Sequence, residues 1–319
     1  MSMRGSWHHT GTKIPTPKDF DFWRTVYSHG WCDLQPFSFD PENRTLSRIL
    51  SVDGSTTVGC TLKDGHGGIS VTLRSRFPLS TTLRHTALLQ LRACLRLDED
   101  FQPFLTAARR HPRFRWIAST KSGRMLRAPS VFEDVVRMIC TTNCSWALTR
   151  VMVSNLVKLV GPEFDNGQHA FPRPQEIAVL SERTLRAKVK AGYRAPYILR
   201  FARQIAEGKL DIESLRHSNL QSEAILEKLL EIKGVGPYAA QNLMKLLGRY
   251  DRLGLDSWSR GKFYQLHCNG RKVKDATIER HYEEYGEWRG LFFWLEMTRE
   301  WHDERRDDAK QKPEKGVGP

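Results

Sequence analysis

The stretch that decides the fold is Leu229-Leu230-Glu231-Ile232-Lys233-Gly234-Val235-Gly236-Pro237-Tyr238-Ala239-Ala240. Helical patterns, Glu223–Ile232 and Pro237–Leu247, flank a Gly-Val-Gly hairpin. Gly234 and Gly236 permit tight backbone geometry and close approach by another backbone. Val235 is apolar and suits a plug between the two helices. Pro237 fits the first position of the second helix, where its missing N–H costs nothing. The exposed amides at that helix start suit a phosphate oxygen, helped by the helix dipole. An ordinary helical corner with glycines is the bland alternative, and the apolar flanks make it the weaker one. The pattern is a helix–hairpin–helix that grips a nucleic-acid backbone without reading its sequence.

Downstream runs Leu253-Gly254-Leu255-Asp256-Ser257-Trp258-Ser259-Arg260. Asp256 follows an apolar residue and precedes a helix starting near Ser257. Alone, it reads equally well as a simple N-cap. Placed 20 residues after Gly236 in a basic chain, it becomes a candidate for stabilising a developing sugar cation.

Upstream, Ser130 with Glu133 reads as a capping box, and Phe132, Val135, Val136 and Ile139 form an apolar stripe at helical spacing. Further helices fit Ala147–Leu159, Glu182–Lys190, Ala195–Glu207 and Trp288–Trp301. Before them, Leu46–Leu73 consists of short β-prone runs broken by Asp-Gly and Gly-Gly, which predicts a small antiparallel sheet. The expected class is therefore α+β. Residues 1–98 form a β-rich N-terminal domain, 99–306 a mostly α-helical region, and 307–319 a disordered tail.

The chain has 319 residues and a net charge of +14. The excess is local: residues 71–130 carry 12 Lys/Arg against 3 acids, and residues 183–210 carry 8 against 1. Clustered charge of one sign points to a polyanionic partner. No apolar run is long enough for a membrane span, and the start lacks the apolar segment of a secretory signal. Six cysteines without a CxxC pair suggest a reducing compartment rather than a disulfide framework or a zinc–thiolate site.

KGVGPYAAQN followed by GLDSWSR resembles the hairpin, Gly/Pro-rich loop and aspartate of the HhH-GPD superfamily of DNA glycosylases. Within it the chain is most similar to the AlkA and 8-oxoguanine glycosylase branch. FEDVVRMICTTNCSWA resembles the helix-plus-wedge segment of that family, GYRAPYILRFA its second DNA-facing loop, and YGEWRGLFFWLEMTREW its C-terminal helix. The strand-rich start is similar to the small β-domain of the branch, and the resemblance covers about residues 31–301.

The resemblance implies roles residue by residue. Asp256 matches the catalytic aspartate. The carbonyls of Leu230, Ile232 and Val235 sit where a Na+ or K+ ion bridges to a DNA phosphate, and Gly234, Val235 and Gly236 form the DNA-binding turn. Asn143 takes the wedge position, Tyr193 matches an intercalating residue and Arg194 one that meets the estranged base. Tyr238, Asn242, Trp288 and Trp294 line the base pocket, although core positions also fit Trp288 and Trp294, and for Trp294 core fits slightly better. Two departures stand out. Tyr238 occupies the place where bifunctional members carry the Schiff-base lysine, so the amine nucleophile is missing there. Asn242 replaces an aromatic and offers an amide to a base edge. No cysteine follows Cys268, so no iron–sulfur cluster is expected.

These features imply a monofunctional glycosylase that needs no cofactor, acts as a monomer on damaged double-stranded DNA and removes an alkylated purine of the 3-methyladenine type. Oxidised or deaminated bases such as 8-oxoguanine or hypoxanthine are the alternative substrates. A non-catalytic DNA-structure-binding module is the alternative of a different class. The expected location is the cytoplasm, on the nucleoid, in a prokaryote and the nucleus in a eukaryote, with no membrane association.

Overall fold

The computed structural model describes residues 6–301; the expected tail at 307–319 lies outside them. The N-terminal sheet has five antiparallel strands, β1 (His8–Ile14), β2 (Phe37–Asp40), β3 (Thr45–Ser51), β4 (Thr57–Gly65) and β5 (Gly68–Ser75), in the order β1-β5-β4-β3-β2. The register runs from His8 opposite Ser75 to Ile14 opposite Ile69, with Leu46 opposite Leu62 and Cys60 opposite Leu73. In β5, Ile69, Val71 and Leu73 alternate inward, the period-2 signature of a half-buried strand. The β4–β5 turn runs through Gly67 and Gly68 at φ +71° and +146°, conformations that disfavour any other residue. β1 carries only one apolar side chain with strand character, so it is placed by pairing rather than by its own pattern, and the sequence gives little sign of it.

Fourteen α-helices accompany the sheet among the described residues. Behind α1 (Phe22–Val26), α2 (Thr81–Leu95) starts on a Ser80 cap and leads to α3 (Gln102–Arg110) and α4 (Arg115–Thr120). The central pair is α5 (Val131–Thr141) and α6 (Trp146–Val160). A short hairpin, β6 (Glu163–Asp165) and β7 (Gln168–His169), turns at Asn166-Gly167. Next come α7 (Pro174–Ala178), α8 (Glu182–Thr184), α9 (Ala195–Ala206), α10 (Ser222–Leu230), α11 (Pro237–Leu246), α12 (Ser257–His267), α13 (Asp275–His281) and α14 (Arg289–Met297). The helix expected over Glu182–Lys190 is only partly regular: after α8 the chain widens into a π turn at Leu185–Val189 and ends on Lys190 at φ +64°.

α5 is buried along nearly its whole length, with Phe132, Val135, Val136 and Ile139 inside as their spacing requires. Its first turn differs from the expected capping box. Ser130 Oγ accepts from Glu133 N at 3.2 Å, but the Glu133 carboxylate does not reach back. It pairs instead with Arg48 of β3 at 2.6 Å and Arg137 at 2.5 Å. The carboxylate of Glu213 takes over, accepting from Val131 N and Phe132 N at 2.9 Å each. Next to Glu133, Asp134 accepts from Trp31 Nε1 at 2.8 Å and Ala128 N at 2.9 Å, and faces Arg216. Buried charges that are paired and hydrogen-bonded in this way fasten the sheet to the helical core.

Candidate active site and nucleic-acid interface

The hairpin between α10 and α11 follows from its residues. Val235 is buried, its N–H donates to Ile232 O at 2.9 Å, and Gly234 sits at φ +93°. A Cβ on Gly234 would meet the Tyr197 ring at 2.8 Å, whereas one on Gly236 would meet nothing within 4 Å. One glycine is thus required by internal packing, and the other leaves its outer side open to an incoming backbone. Pro237 begins α11, and the amides of its first turn face outward from the helix end.

Asp256 is the N-cap of α12. Its Oδ1 accepts from Ser259 N at 2.7 Å, and Ser259 Oγ accepts from Asp256 N at 3.0 Å. The two readings of this residue are therefore compatible: one oxygen caps the helix, and Oδ2 takes no hydrogen bond among the described residues. Two groups sense its charge. The Tyr238 hydroxyl is pushed up to about 12 by burial and then by Asp256. The Lys245 amine is pushed down to about 7 by burial, with Asp256 opposing the shift. Trp258, two residues beyond Asp256, is 40% exposed; its ring lies 6.4 Å from Trp294 and 5.0 Å from Trp301.

A third feature lies at the turn between α5 and α6. Asn143 is exposed at φ +46°, and its Nδ2 donates to Tyr193 Oη at 3.3 Å. Tyr193 Oη also donates to Thr142 O at 3.3 Å. Side chains 50 residues apart in the chain thus meet at one exposed ridge.

No family model matches the chain. A putative DNA-3-methyladenine glycosylase of Bacillus subtilis is 27% identical over 171 residues, 52% of this chain and 58% of that protein. A probable N-glycosylase/DNA lyase of Methanothermobacter thermautotrophicus is 30% identical over 193 residues, 53% of this chain and 60% of that protein. The chain thus spans about three fifths of the length of these two curated relatives. Among solved structures, the 8-oxoguanine glycosylase/lyase of Clostridium acetobutylicum superposes with a TM-score of 0.70 at 16% identity, covering 91% of this chain and 98% of that one. The 3-methyladenine DNA glycosylase of Archaeoglobus fulgidus gives 0.69 at 17% identity, covering 91% and 99%. These homologues and structural neighbours are HhH-GPD-type DNA glycosylases. The likeness to the solved structures shows that the sheet and the helical core together make up that fold.

Within this fold the expected site residues fall into two groups. Asp256, Tyr238, Trp294, Asn143 and Tyr193 come together around the end of α11 and the α5–α6 turn. Three others are placed differently. Trp288 stacks on Tyr250 at 5.5 Å and packs on Phe104 at 5.3 Å. Tyr250 follows the C-terminal end of α11, whereas Tyr238 is in its first turn, so Trp288 packs beyond the far end of a helix that runs about 12 Å from Tyr238 to Leu246 at 1.5 Å per residue. There it lines a cavity of about 570 Å³ with Arg92, Arg96, Arg127 and Arg216. Arg194 is buried: its guanidinium donates to Thr142 O and lies 4.5 Å over the Tyr193 ring, so it fastens the exposed ridge from below instead of reaching a base. Asn242 uses its amide internally, donating from Nδ2 to Tyr238 O at 2.9 Å and Gly254 O at 3.2 Å and accepting from Lys245 Nζ at 3.2 Å.

Trp294 is held by a hydrogen bond from Nε1 to Ser28 O at 2.9 Å, in the connection between β1 and β2. Trp258 and Lys245 were missed as site residues. Trp258 had a signal, since an aromatic in the first turn after a capping aspartate must lie beside it. Lys245 had none, because nothing local tells a buried lysine from a solvated one.

One described group has the composition of a metal site: His267, His281 and Glu296, with ligand atoms within 4.8 Å of one another. The Arg113 guanidinium already lies among them, donating to both imidazoles and pairing with Glu296. The carboxylate therefore has its counter-charge. Both imidazoles titrate below the usual histidine range, chiefly because they are desolvated.

Proposed function

We propose that this protein is a monofunctional DNA glycosylase of base excision repair that hydrolyses the N-glycosidic bond of an alkylated purine. One observation carries the reading: the Asp256 carboxylate is fixed by a helix cap through one oxygen, beside Tyr238 and an aromatic cluster, at the foot of a phosphate-gripping hairpin. The hairpin and the outward basic side chains would hold the duplex by its phosphates. Asn143 and Tyr193 would fill the space left by an extruded nucleotide, whose unstacking costs least where the base is damaged. Tyr238, Trp258 and Trp294 offer aromatic faces to the base, and a cationic base gains most from them. As the C1′–N bond lengthens, the sugar acquires positive charge, which Asp256 stabilises while the base leaves and water adds to C1′. A cationic purine departs neutral, so little acid catalysis is required.

The hairpin carbonyls of Leu230, Ile232 and Val235 are hard oxygen donors suited to Na+ or K+. The Ile232 carbonyl keeps a lone pair after accepting from Val235 N–H. Such an ion would supply charge between the hairpin and a DNA phosphate.

Lack of lyase activity is supported by the amines. Tyr238 stands where a Schiff-base lysine would be, and Lys245, the lysine coupled to Asp256, is fully buried and donates to Leu253 O and Asn242 Oδ1. A second reading, a glycosylase with lyase activity, is favoured by the similarity to the N-glycosylase/DNA lyase at 30% identity.

The test is an excision panel on duplexes carrying 3-methyladenine, hypoxanthine, uracil or 8-oxoguanine. Release of the alkylated base is expected, and Asp256→Asn should lower it by about 100-fold or more while DNA binding is retained. Equal turnover by both proteins would remove Asp256 from the mechanism. Borohydride is expected to trap no covalent adduct; a trapped adduct would overturn the monofunctional assignment. No release from any lesion, with tight DNA binding, would leave a structure-binding module.

A further inference from the structure

We propose that Lys245 is a positioning residue: with Gln241 and Asn242 it clamps the Leu253–Leu255 loop onto α11 and so fixes the direction of the Asp256 carboxylate. The inference rests on the glycosylase reading above and adds a residue to it. Lys245 Nζ donates to Leu253 O at 2.7 Å and to Asn242 Oδ1 at 3.2 Å. Asn242 Nδ2 donates to Gly254 O at 3.2 Å, and Gly254 N donates to Gln241 Oε1 at 2.9 Å. Three side chains within two turns of one helix therefore hold three consecutive polar groups of the loop backbone. The loop is seated as tightly by its own shape. Gly254 lies at φ +66°, and a Cβ there would come within 2.7 Å of both Asn242 Nδ2 and Lys245 Nζ. Leu253 and Leu255 are buried on either side, and Asp256 is the next residue.

The amine is fully buried, so it is no nucleophile for a sugar held outside. Burial of an amine is unfavourable unless it is hydrogen-bonded, and here the bonds it makes are those that set the loop. Its partner in charge is Asp256. A carboxylate that acts on a developing cation must be placed to well under 1 Å, and looser placement lowers the rate without loosening the grip on DNA.

Two measurements test this. The first is single-turnover excision of the lesion that wild type releases fastest, alongside affinity for a duplex carrying a tetrahydrofuran abasic analogue. Lys245→Met is expected to slow excision about 30- to 100-fold with affinity unchanged within about threefold. Gly254→Ala, which presses on the clamp from the loop side, should act similarly, and the double variant should be no slower than the slower single one. Wild-type excision by Lys245→Met, or a fall in rate matched by a fall in affinity, would overturn the proposal. The second is a 13Cε NMR titration of the lysines in wild type, Lys245→Met and Asp256→Asn, which requires no turnover. One lysine should titrate far below the others, vanish in Lys245→Met and move lower still in Asp256→Asn, because the carboxylate that favours its charge is gone. An ordinary lysine midpoint unmoved by Asp256→Asn would overturn the proposal even in an active enzyme. If wild type excises nothing while this coupling is present, the glycosylase reading fails and the clamp stands.

Discussion

The two basic segments that look alike in the sequence differ in how they use their cations in the fold. In residues 71–130 three arginines, Arg96, Arg124 and Arg127, are buried, whereas in residues 183–210 Arg194 alone is. Arg96 is fully buried, donating to Lys245 O at 2.8 Å and pairing with Glu99 at 2.6 Å. Arg127 donates to Ala93 O at 2.9 Å and Leu246 O at 3.0 Å. Arg124 donates to Glu99 O at 2.8 Å and pairs with Asp19 at 3.1 Å. These guanidiniums satisfy carbonyls at the ends of α2 and α11, which a helix leaves unpaired. In residues 183–210, Arg183, Lys188, Lys190 and Arg200 stay exposed, around the loop that carries Tyr193. Charge counts therefore mark where cations are needed without saying whether the anion is a DNA phosphate or the protein's own backbone.

That contrast can be broken in three ways. The largest effect is expected from Arg96→Ala. It removes a fully buried guanidinium with its bonds to Lys245 O and Glu99, while Arg127 still holds Glu99 and Leu246 O, and should destabilise the protein by about 3–5 kcal/mol, read as the shift of the urea midpoint. If the midpoint holds while DNA affinity falls, the inward assignment is wrong. Next comes neutralisation of Arg183, Lys188, Lys190 and Arg200 together. It should leave the melting temperature unchanged and flatten the slope of log K against log salt by about 3 to 4. An unchanged slope would move the DNA-facing surface elsewhere.

The smallest effect concerns Asp134, an acid of the inward network. Burial raises its carboxyl to about 6, ahead of the opposing pull of Arg216. A raised carboxyl contributes stability at low pH that is lost as pH rises from the unfolded value near 4 through about 6. Asp134→Asn keeps an acceptor for Trp31 and Ala128 and does not titrate. Its stability relative to wild type should therefore rise by about 1–3 kcal/mol between pH 4 and pH 7. A pH-independent difference would show that Arg216 holds Asp134 ionised throughout.

Much of the architecture was legible. The apolar spacing located α5, α6, α9, α10, α11 and α14 within a few residues, because each buries one continuous stripe. Gly234, Pro237 and Asp256 could be read from local rules, since turn geometry and capping depend on neighbours in the chain. Other expectations failed for a common reason. Glu133 fits a capping box and pairs with Arg48 instead, 85 residues away. Trp288 has the right type for a base pocket but finds Phe104 and Tyr250 first. Asn242 offers an amide that Gly254 and Lys245 take up.

The sequence by itself determined the hairpin, the capping aspartate beyond it and the order of sheet before helices. All of these rest on interactions within one or two turns of chain. Only the tertiary structure decided which polar side chains face outward. A buried guanidinium, amide or amine takes whichever partner the packing brings close, and those partners lie from 8 to 149 residues away, beyond the reach of local rules. The Lys245 clamp belongs to this second kind: its residues are ordinary in sequence and acquire a role only when α11 and the Leu253–Leu255 loop are laid side by side.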